Sequence, residues 1–161
     1  METTKRTGQP RQAVPHRPRS PQPIRTIREF MTVSPHTIAI ERTLSDAHKL
    51  MREHGIRHLP VLEGGRLVGM VSQRDLHLLE TLRDVNPAEV RVEEAMSQDV
   101  LEVDPAASLA RVARVMGKRK LGSAVVTHGG EIVGIFSTVD ALFALATIAN
   151  GTAGAQPAEN S

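Results

Sequence analysis

Two stretches of this chain are copies of one another, and this internal repeat limits the possible folds more than any other property of the sequence. Residues 27–79 align with residues 92–144 at a constant offset of 65, and 11 of the 53 positions are identical without a gap. A fixed period of this kind predicts two copies of one structural unit. The identical pairs are Glu29/Glu94, Met31/Met96, Leu44/Leu109, Met51/Met116, Val61/Val126, Gly64/Gly129, Gly65/Gly130, Val68/Val133, Gly69/Gly134, Ser72/Ser137 and Asp75/Asp140.

Each copy is predicted to fold as strand, helix, strand, strand and helix. Thr43 and Ser108 precede apolar stripes with helical spacing, so we expect them to cap the first helix of each copy. The two Gly-Gly pairs supply the positive φ angles of tight hairpins. One copy has too small a core to be stable alone, so the copies are predicted to pack as two three-stranded sheets about a pseudo-twofold axis. The hairpin strands are predicted at 59–62 with 67–71 and at 124–127 with 132–136.

Basic residues and prolines are concentrated near the N-terminus. Residues 1–28 carry seven basic residues against one acidic residue and hold five of the ten prolines, whereas the remainder carries 13 basic and 17 acidic residues. A segment this basic and this poor in apolar residues cannot bury enough surface to offset the entropy of ordering. We therefore predict a disordered tail at 1–23, repeats at 24–85 and 86–149, and a flexible tail at 150–161.

The composition also excludes several classes of protein. The absence of Cys removes disulfides, thiolate zinc sites and cysteine nucleophiles. With no Trp or Tyr, few Phe and almost balanced charge, the chain is not expected to bind nucleic acid by stacking or by its overall charge. The lack of a transmembrane-length apolar run or a secretory signal predicts no membrane association and a cytoplasmic location.

Two motifs in each copy are typical of one family. The first copy contains Ile-Arg-His-Leu-Pro-Val-Leu and Gly-Gly-Arg-Leu-Val-Gly-Met-Val-Ser-Gln-Arg-Asp-Leu. The second contains Leu-Gly-Ser-Ala-Val-Val-Thr and Gly-Gly-Glu-Ile-Val-Gly-Ile-Phe-Ser-Thr-Val-Asp-Ala-Leu. Both copies resemble the cystathionine-β-synthase (CBS) domain, and together they resemble a CBS pair over about residues 24–149.

The resemblance implies both a fold and a function. The implied fold is α/β, with two βαββα CBS repeats packed about a pseudo-twofold axis and commonly assembled as a dimer. The implied function is regulatory and not enzymatic. An adenosine-containing ligand of the AMP, ADP or ATP class would bind in a cleft between the repeats, and no other cofactor would be required.

The resemblance places the ligand of the first copy beside Asp75, which in the family binds the ribose hydroxyls. Arg74 is next to it in the sequence, and Arg57 and His58 occupy the entry to the preceding strand. All three are suited to bind phosphate oxygens. The start of the following helix would also favour a phosphate group. The alternative interpretation is that Ser72 and Asp75 only cap that helix, although the serine could cap while the aspartate binds ribose.

In the second copy, Asp140 takes the equivalent place, together with Ser137 and Thr138. The positions that match Arg57, His58 and Arg74 are Gly122, Ser123 and Val139, which carry no charge. We therefore expect the phosphorylated ligand beside Asp75, and an empty cleft or a less charged ligand beside Asp140. The basic residues at 118–120 could compensate in part, but a solvated helix end explains them as well.

The family lines its adenine pocket with residues from the first strand and from the strand after the first helix. Every apolar residue at these positions could equally be an ordinary core residue, and which first strand serves which cleft stays open. The candidates are Thr37, Ile38, Leu59, Pro60 and Val61 in the first copy, and Glu102, Val103, Ala124 and Val125 in the second.

Catalytic and metal-binding arrangements are not predicted. His54 and His58 have helical ligand spacing, but Gly55 is expected to end the helix between them. Neither a Gly-x-Ser-x-Gly motif, a P-loop nor a dinucleotide-binding glycine motif is present. The main hypothesis is a ligand-binding sensor. The alternative is a scaffold whose basic tail binds an unidentified acidic protein or nucleic acid, and the apolar helix at 140–149 predicts a homodimer.

Overall fold

The computed structural model describes residues 25–150. The tail predicted at 1–23 lies outside the described residues, and so does the second predicted tail from residue 151 onward. Within the described part the α/β fold with two βαββα repeats is confirmed. The first repeat contains β1 (Thr32–Val33), β2 (Ile38–Ala39), α1 (Leu44–Glu53), β3 (His58–Glu63), β4 (Arg66–Ser72) and α2 (Gln73–Glu80). The second contains β5 (Glu102–Val103), α3 (Leu109–Arg119), β6 (Ser123–His128), β7 (Glu131–Ser137) and α4 (Thr138–Ala149).

The predicted helix caps and hairpin turns are present. The Thr43 side chain accepts a hydrogen bond from the Asp46 amide, and the Ser108 side chain accepts one from the Arg111 amide. Helix α1 is followed by Gly55, whose φ of +62° lies in the left-handed region. Both Gly-Gly pairs have positive φ at each residue, as a tight hairpin with the right-handed twist of its strands requires.

The strands form two sheets of different size. The order is β2-β3-β4 in the first repeat and β1-β7-β6-β5 in the second. The prediction of two three-stranded sheets is therefore wrong for the second repeat, because β1 from the start of the described chain pairs antiparallel with β7. The equivalent contact in the other direction is smaller. Ser97, which matches Thr32 of β1, forms a single antiparallel bridge with Met70 of β4.

The segment before each repeat contributes to the core of the other repeat. Ile27 and Phe30 are buried in the cluster formed by α3, β6 and β7, whereas Val92 is buried in the cluster formed by α1, β3 and β4. Backbone hydrogen bonds secure both crossings, from Ile27 to Ala107 and from Val92 to Arg42. The two repeats are thus joined by exchanged segments as well as by the contact between their sheets.

At each crossing the exchanged segment passes very close to the backbone of a strand in the other repeat. This close approach explains two identical pairs in the alignment, Met31/Met96 and Gly69/Gly134. A Cβ atom on Gly134 would lie 2.8 Å from Met31 Sδ and 2.9 Å from the Thr32 carbonyl oxygen. A Cβ atom on Gly69 would meet Met96 in the same way. Only glycine lets the exchanged segment approach these strands so closely.

Helix α4 carries an apolar surface that residues 25–150 do not cover. Leu142, Phe143 and Leu145 are 66%, 55% and 63% exposed, so the burial expected for this helix is not achieved within the described part of the chain. Across residues 25–150, none of the helices has the length and apolar character needed to cross a membrane.

Candidate functional site

The Ser72–Asp75 motif lies at the start of α2 and forms a complete capping box. Asp75 Oδ2 accepts hydrogen bonds from the Ser72 backbone amide (2.8 Å) and the Ser72 hydroxyl (2.6 Å), while Ser72 Oγ accepts one from the Asp75 amide (3.3 Å). Within residues 25–150, no hydrogen bond reaches the other carboxylate oxygen, Oδ1. The half-buried carboxylate therefore caps the helix with one oxygen, while the other oxygen has no hydrogen-bond partner among residues 25–150.

Asp140 is more enclosed than its counterpart. Its exposure is only 7%, and Oδ2 accepts from the Ser137 amide and hydroxyl at 2.6 Å each. The Thr32 hydroxyl of β1 approaches the second oxygen, Oδ1, at 3.5 Å, the outer limit of a hydrogen bond. Sequence reasoning missed Thr32, because the pairing of β1 with the other repeat brings together residues 108 positions apart.

His58 stands where the two repeats meet. It is the first residue of β3 and lies opposite Ser72 of β4. Its ring packs against the backbone of Gly122, so closely that a Cβ atom there would lie 2.9 Å from His58 Cε1. Gly122 was noted in the sequence only as an uncharged match for Arg57, whereas in the structure its missing side chain makes room for the His58 ring.

The same face of the two sheets carries Pro60 and Val125. Both are completely buried, yet neither belongs to the two core clusters between helices and sheet described above, which we call the helix-backed clusters. Their strand partners on this face are Met70 and Ile135, respectively. Since side chains alternate along a strand, these residues point away from the helices and toward the contact between the sheets. We call this contact the inter-repeat face; His58, two residues before Pro60, lies at its edge.

The electrostatics around His58 favour an anion. Burial lowers the pKa of His58, the positive charge of Arg57 lowers it further, Asp75 partly opposes this, and Arg74 adds to the decrease. Arg57 and Arg74 are exposed, and neither forms a salt bridge with an acidic group in residues 25–150. The two arginines beside this partly buried ring have no acidic partner among these residues, and their guanidinium groups suit phosphate oxygens.

The other candidate residues are distributed between cores and surface. Ile38, Leu59, Val61 and Ala124 are buried inside the helix-backed clusters, and Val103 packs against one of them. Thr37 lines an open cavity of about 390 Å³ formed by β2 and α1, to which Asp75 does not contribute. Thr138 and Glu102 are exposed. The structure thus brings Ser72, Asp75, His58 and Arg74 together at the start of α2. Arg57 is adjacent to His58 and also lines the cavity between α1 and α2, and Thr37 is not part of this group.

The basic residues at 118–120 have a structural explanation. All three are exposed, Arg119 forms a salt bridge with Asp99, and Lys120 ends α3 with a left-handed φ of 56°. His54 and His58 do not share a helix, since α1 ends at Glu53. His54 instead stacks on His36, with ring centroids 3.6 Å apart.

Comparisons with known proteins agree with this architecture. The family described as CBS domain matches residues 27–78 and again residues 92–147. An inosine-5′-monophosphate dehydrogenase from Korarchaeum cryptofilum is 33% identical over 118 residues, which are 73% of this chain but 22% of that enzyme. The chain therefore spans about a fifth of this relative, and the match does not include most of the enzyme.

Solved structures give the same result. A putative acetoin utilization protein (AcuB) from Vibrio cholerae has a TM-score of 0.70 and 33% identity, covering 79% of this chain and 94% of that one. The structure of CBSX2 in complex with AMP has a TM-score of 0.67 and 26% identity, covering 77% and 98%. Two matches to one family, the repeated fold and the shared motifs lead to one conclusion: this chain belongs to the CBS domain family as a tandem pair.

Proposed function

We propose that this protein is a non-catalytic regulatory module that binds one phosphorylated, adenosine-containing ligand at the edge of the inter-repeat face beside Asp75. The observation that carries the proposal is the cluster of Asp75, His58, Arg57 and Arg74, in which a carboxylate oxygen and two arginines have no partner within the described chain. The solved complex of CBSX2 with AMP supports the class of ligand.

Each group in this cluster has a separate role in the proposal. Asp75 Oδ1 accepts hydrogen bonds from a ribose hydroxyl pair, while Oδ2 continues to cap α2. Arg57 and Arg74 donate to phosphate oxygens, and His58 donates once it is protonated. The partial positive charge at the start of α2 favours the same anion.

The two repeats are proposed to differ in ligand binding. Both oxygens of Asp140 are already engaged, and the residues around it that match the arginines are Gly122 and Val139. A ribose there would have to displace the Thr32 hydroxyl without gaining a cationic partner for its phosphate. We therefore expect one phosphorylated ligand per chain.

A thermal-shift panel tests the proposal directly. Purified protein is heated with AMP, ADP, ATP, adenosine and S-adenosylmethionine, with GMP as the control for the base. A ligand at 100 times its dissociation constant adds about 2.7 kcal/mol of stability, which raises the melting temperature by several degrees. A shift with a phosphorylated adenosine but not with GMP is expected. No shift with any ligand would contradict the proposal and favour the scaffold alternative.

The same panel at two pH values tests the role of His58. In the free protein, burial and the charge of Arg57 lower the pKa of His58 below its usual value, and a bound phosphate would raise it, so binding takes up a proton. Affinity should therefore increase as the pH falls from about 7.5 to about 6. His58→Gln should lose this increase in affinity. The comparison distinguishes protonation of His58 from protonation of the ligand phosphate, which occurs with both proteins. An unchanged pH dependence in His58→Gln would exclude His58 from the site.

We also propose that the module is a homodimer that buries the apolar surface of α4. Leu142, Phe143, Leu145 and Ile148 are all about half or more exposed on one helix, and exposed apolar surface of this kind is typical of an interface. Analytical ultracentrifugation should give twice the chain mass, and Leu142→Glu should give the monomer. A monomeric parent protein would contradict this proposal.

A further inference from the structure

Two histidines and a glutamate form a cluster between α1 and α2. His48 lies on α1, whereas His77 and Glu80 lie three positions apart on α2 and so share a helix face. Each residue offers one ligand atom, and these atoms lie within 4.8 Å of one another. The His48 and His77 ring centroids are 5.3 Å apart.

His48 has an unsatisfied nitrogen at the centre of this cluster. Its Nε2 atom is buried and has no hydrogen-bond partner in the described chain. Glu80 Oε1 lies 2.7 Å from this atom but outside hydrogen-bonding geometry. A buried nitrogen without a hydrogen bond is costly. A cation bound by both the nitrogen and the carboxylate would remove that cost once the two atoms move apart to about 3.3 Å, the separation of ligand atoms in a tetrahedral site with bonds of about 2.0–2.2 Å.

The second repeat shows that the fold does not require these polar residues. At the offset of 65, the positions of His48, His77 and Glu80 are occupied by Ala113, Leu142 and Leu145. Three small or apolar residues thus stand at the same helix positions in a repeat with the same backbone. The cluster belongs to the first repeat alone.

An open cavity leads to the cluster. It has a volume of about 390 Å³ and is lined by both histidines together with Arg52, Arg57 and Gln73. The space allows a water molecule or a small anion to complete the coordination of an ion. The two arginines oppose the binding of a cation but favour an anion as its fourth ligand.

We propose that His48, His77 and Glu80 bind one divalent transition-metal ion of the zinc class, which joins α1 to α2. Two imidazoles and one carboxylate suit Zn²⁺, Co²⁺ or Ni²⁺ and disfavour Mg²⁺ and Ca²⁺, which prefer oxygen ligands. Three protein ligands and one exchangeable ligand make a four-coordinate site. The site was not predicted because its three ligands come from two helices, so no ligand spacing along one helix reveals it.

The test is a metal titration of the full chain, free of any histidine tag and treated with EDTA. Calorimetry with Zn²⁺ should give one ion per chain, and Co²⁺ should give the intense visible absorption of a four-coordinate centre. His77→Ala and Glu80→Gln should each lower the Zn²⁺ affinity at least about tenfold, since each removes one of three ligands. His77 is exposed, so the alanine variant keeps α2, which circular dichroism verifies.

Two control variants make the result specific. His128→Ala removes an exposed histidine of the second repeat, which lies beside Asp104, and should leave the Zn²⁺ affinity unchanged. His54→Ala removes one member of the His36–His54 stack and should also leave it unchanged. A parent protein that does not bind Zn²⁺, a His77→Ala variant that binds as tightly as the parent, or a loss caused by His54→Ala would each overturn the proposal.

Discussion

Asp75→Asn is expected to weaken the binding of AMP at least about tenfold while leaving the fold intact. The substitution removes a charged acceptor from the ribose hydroxyls, and hydrogen bonds to charged groups contribute about 1.5–3 kcal/mol each. The asparagine oxygen can still accept from the Ser72 amide, so much of the helix cap is retained. Calorimetric titration gives the affinity, and thermal unfolding verifies the fold.

The matched control for this variant is Asp140→Asn in the other repeat. Because Asp140 is enclosed by Ser137 and Thr32, its substitution should reduce stability while leaving the AMP affinity unchanged. Deoxyribose analogues of AMP sharpen the comparison. They should bind more weakly than AMP to the parent protein, but no differently from AMP to Asp75→Asn. If Asp140→Asn loses the ligand and Asp75→Asn keeps it, the ligand lies in the other cleft.

Gly122→Ala is expected to destabilise the protein by about 1–3 kcal/mol, the usual cost of adding a methyl group to a filled space. The new Cβ atom would collide with the His58 ring, whose Cε1 atom would be only 2.9 Å away. Because His58 belongs to the proposed site, AMP binding should weaken as well. Urea unfolding measures the first effect and calorimetry the second.

A double-mutant cycle tests whether the contact with the His58 ring causes the loss of stability in Gly122→Ala. In the background of His58→Ala, the methyl group of Gly122→Ala has space, so its cost should largely disappear. Gly117→Ala serves as the control glycine. A Cβ atom there meets nothing within 4 Å, and alanine within a helix is neutral or stabilising by up to about 1 kcal/mol. A cost of Gly122→Ala that persists without the histidine ring would show that the contact at His58 is not the limiting one.

Much of the fold could be predicted because its signals are local. Thr43 and Ser108 cap helices through atoms three residues away. The glycine pairs determine the hairpins through their own φ angles. Because the sequence is repeated, these local signals occur in both copies at the offset of 65, and each copy supports the prediction made for the other. The capping role of Ser72 was predicted for the same reason, whereas the ribose role of Asp75 came from the family resemblance and stays a prediction.

Other features could not be predicted because they join residues that are far apart in the sequence. The addition of β1 to β7, the exchange of Ile27 and Val92 between cores, and the approach of Thr32 to Asp140 all depend on how one repeat is placed on the other. The contact of His58 with Gly122 and the cluster of His48, His77 and Glu80 are of this kind as well.

The sequence alone therefore specified two copies of one unit, their elements and the residue types at each helix start, since short-range hydrogen bonds and backbone angles control these. Packing between the copies then made the two aspartates different. It left Asp75 with a free oxygen and enclosed Asp140. Equivalent residues acquired different surroundings because the pseudo-twofold relation is incomplete. Within residues 25–150, β1 pairs with β7 as a strand, whereas the equivalent segment of the second repeat contributes a single bridge from Ser97 to Met70.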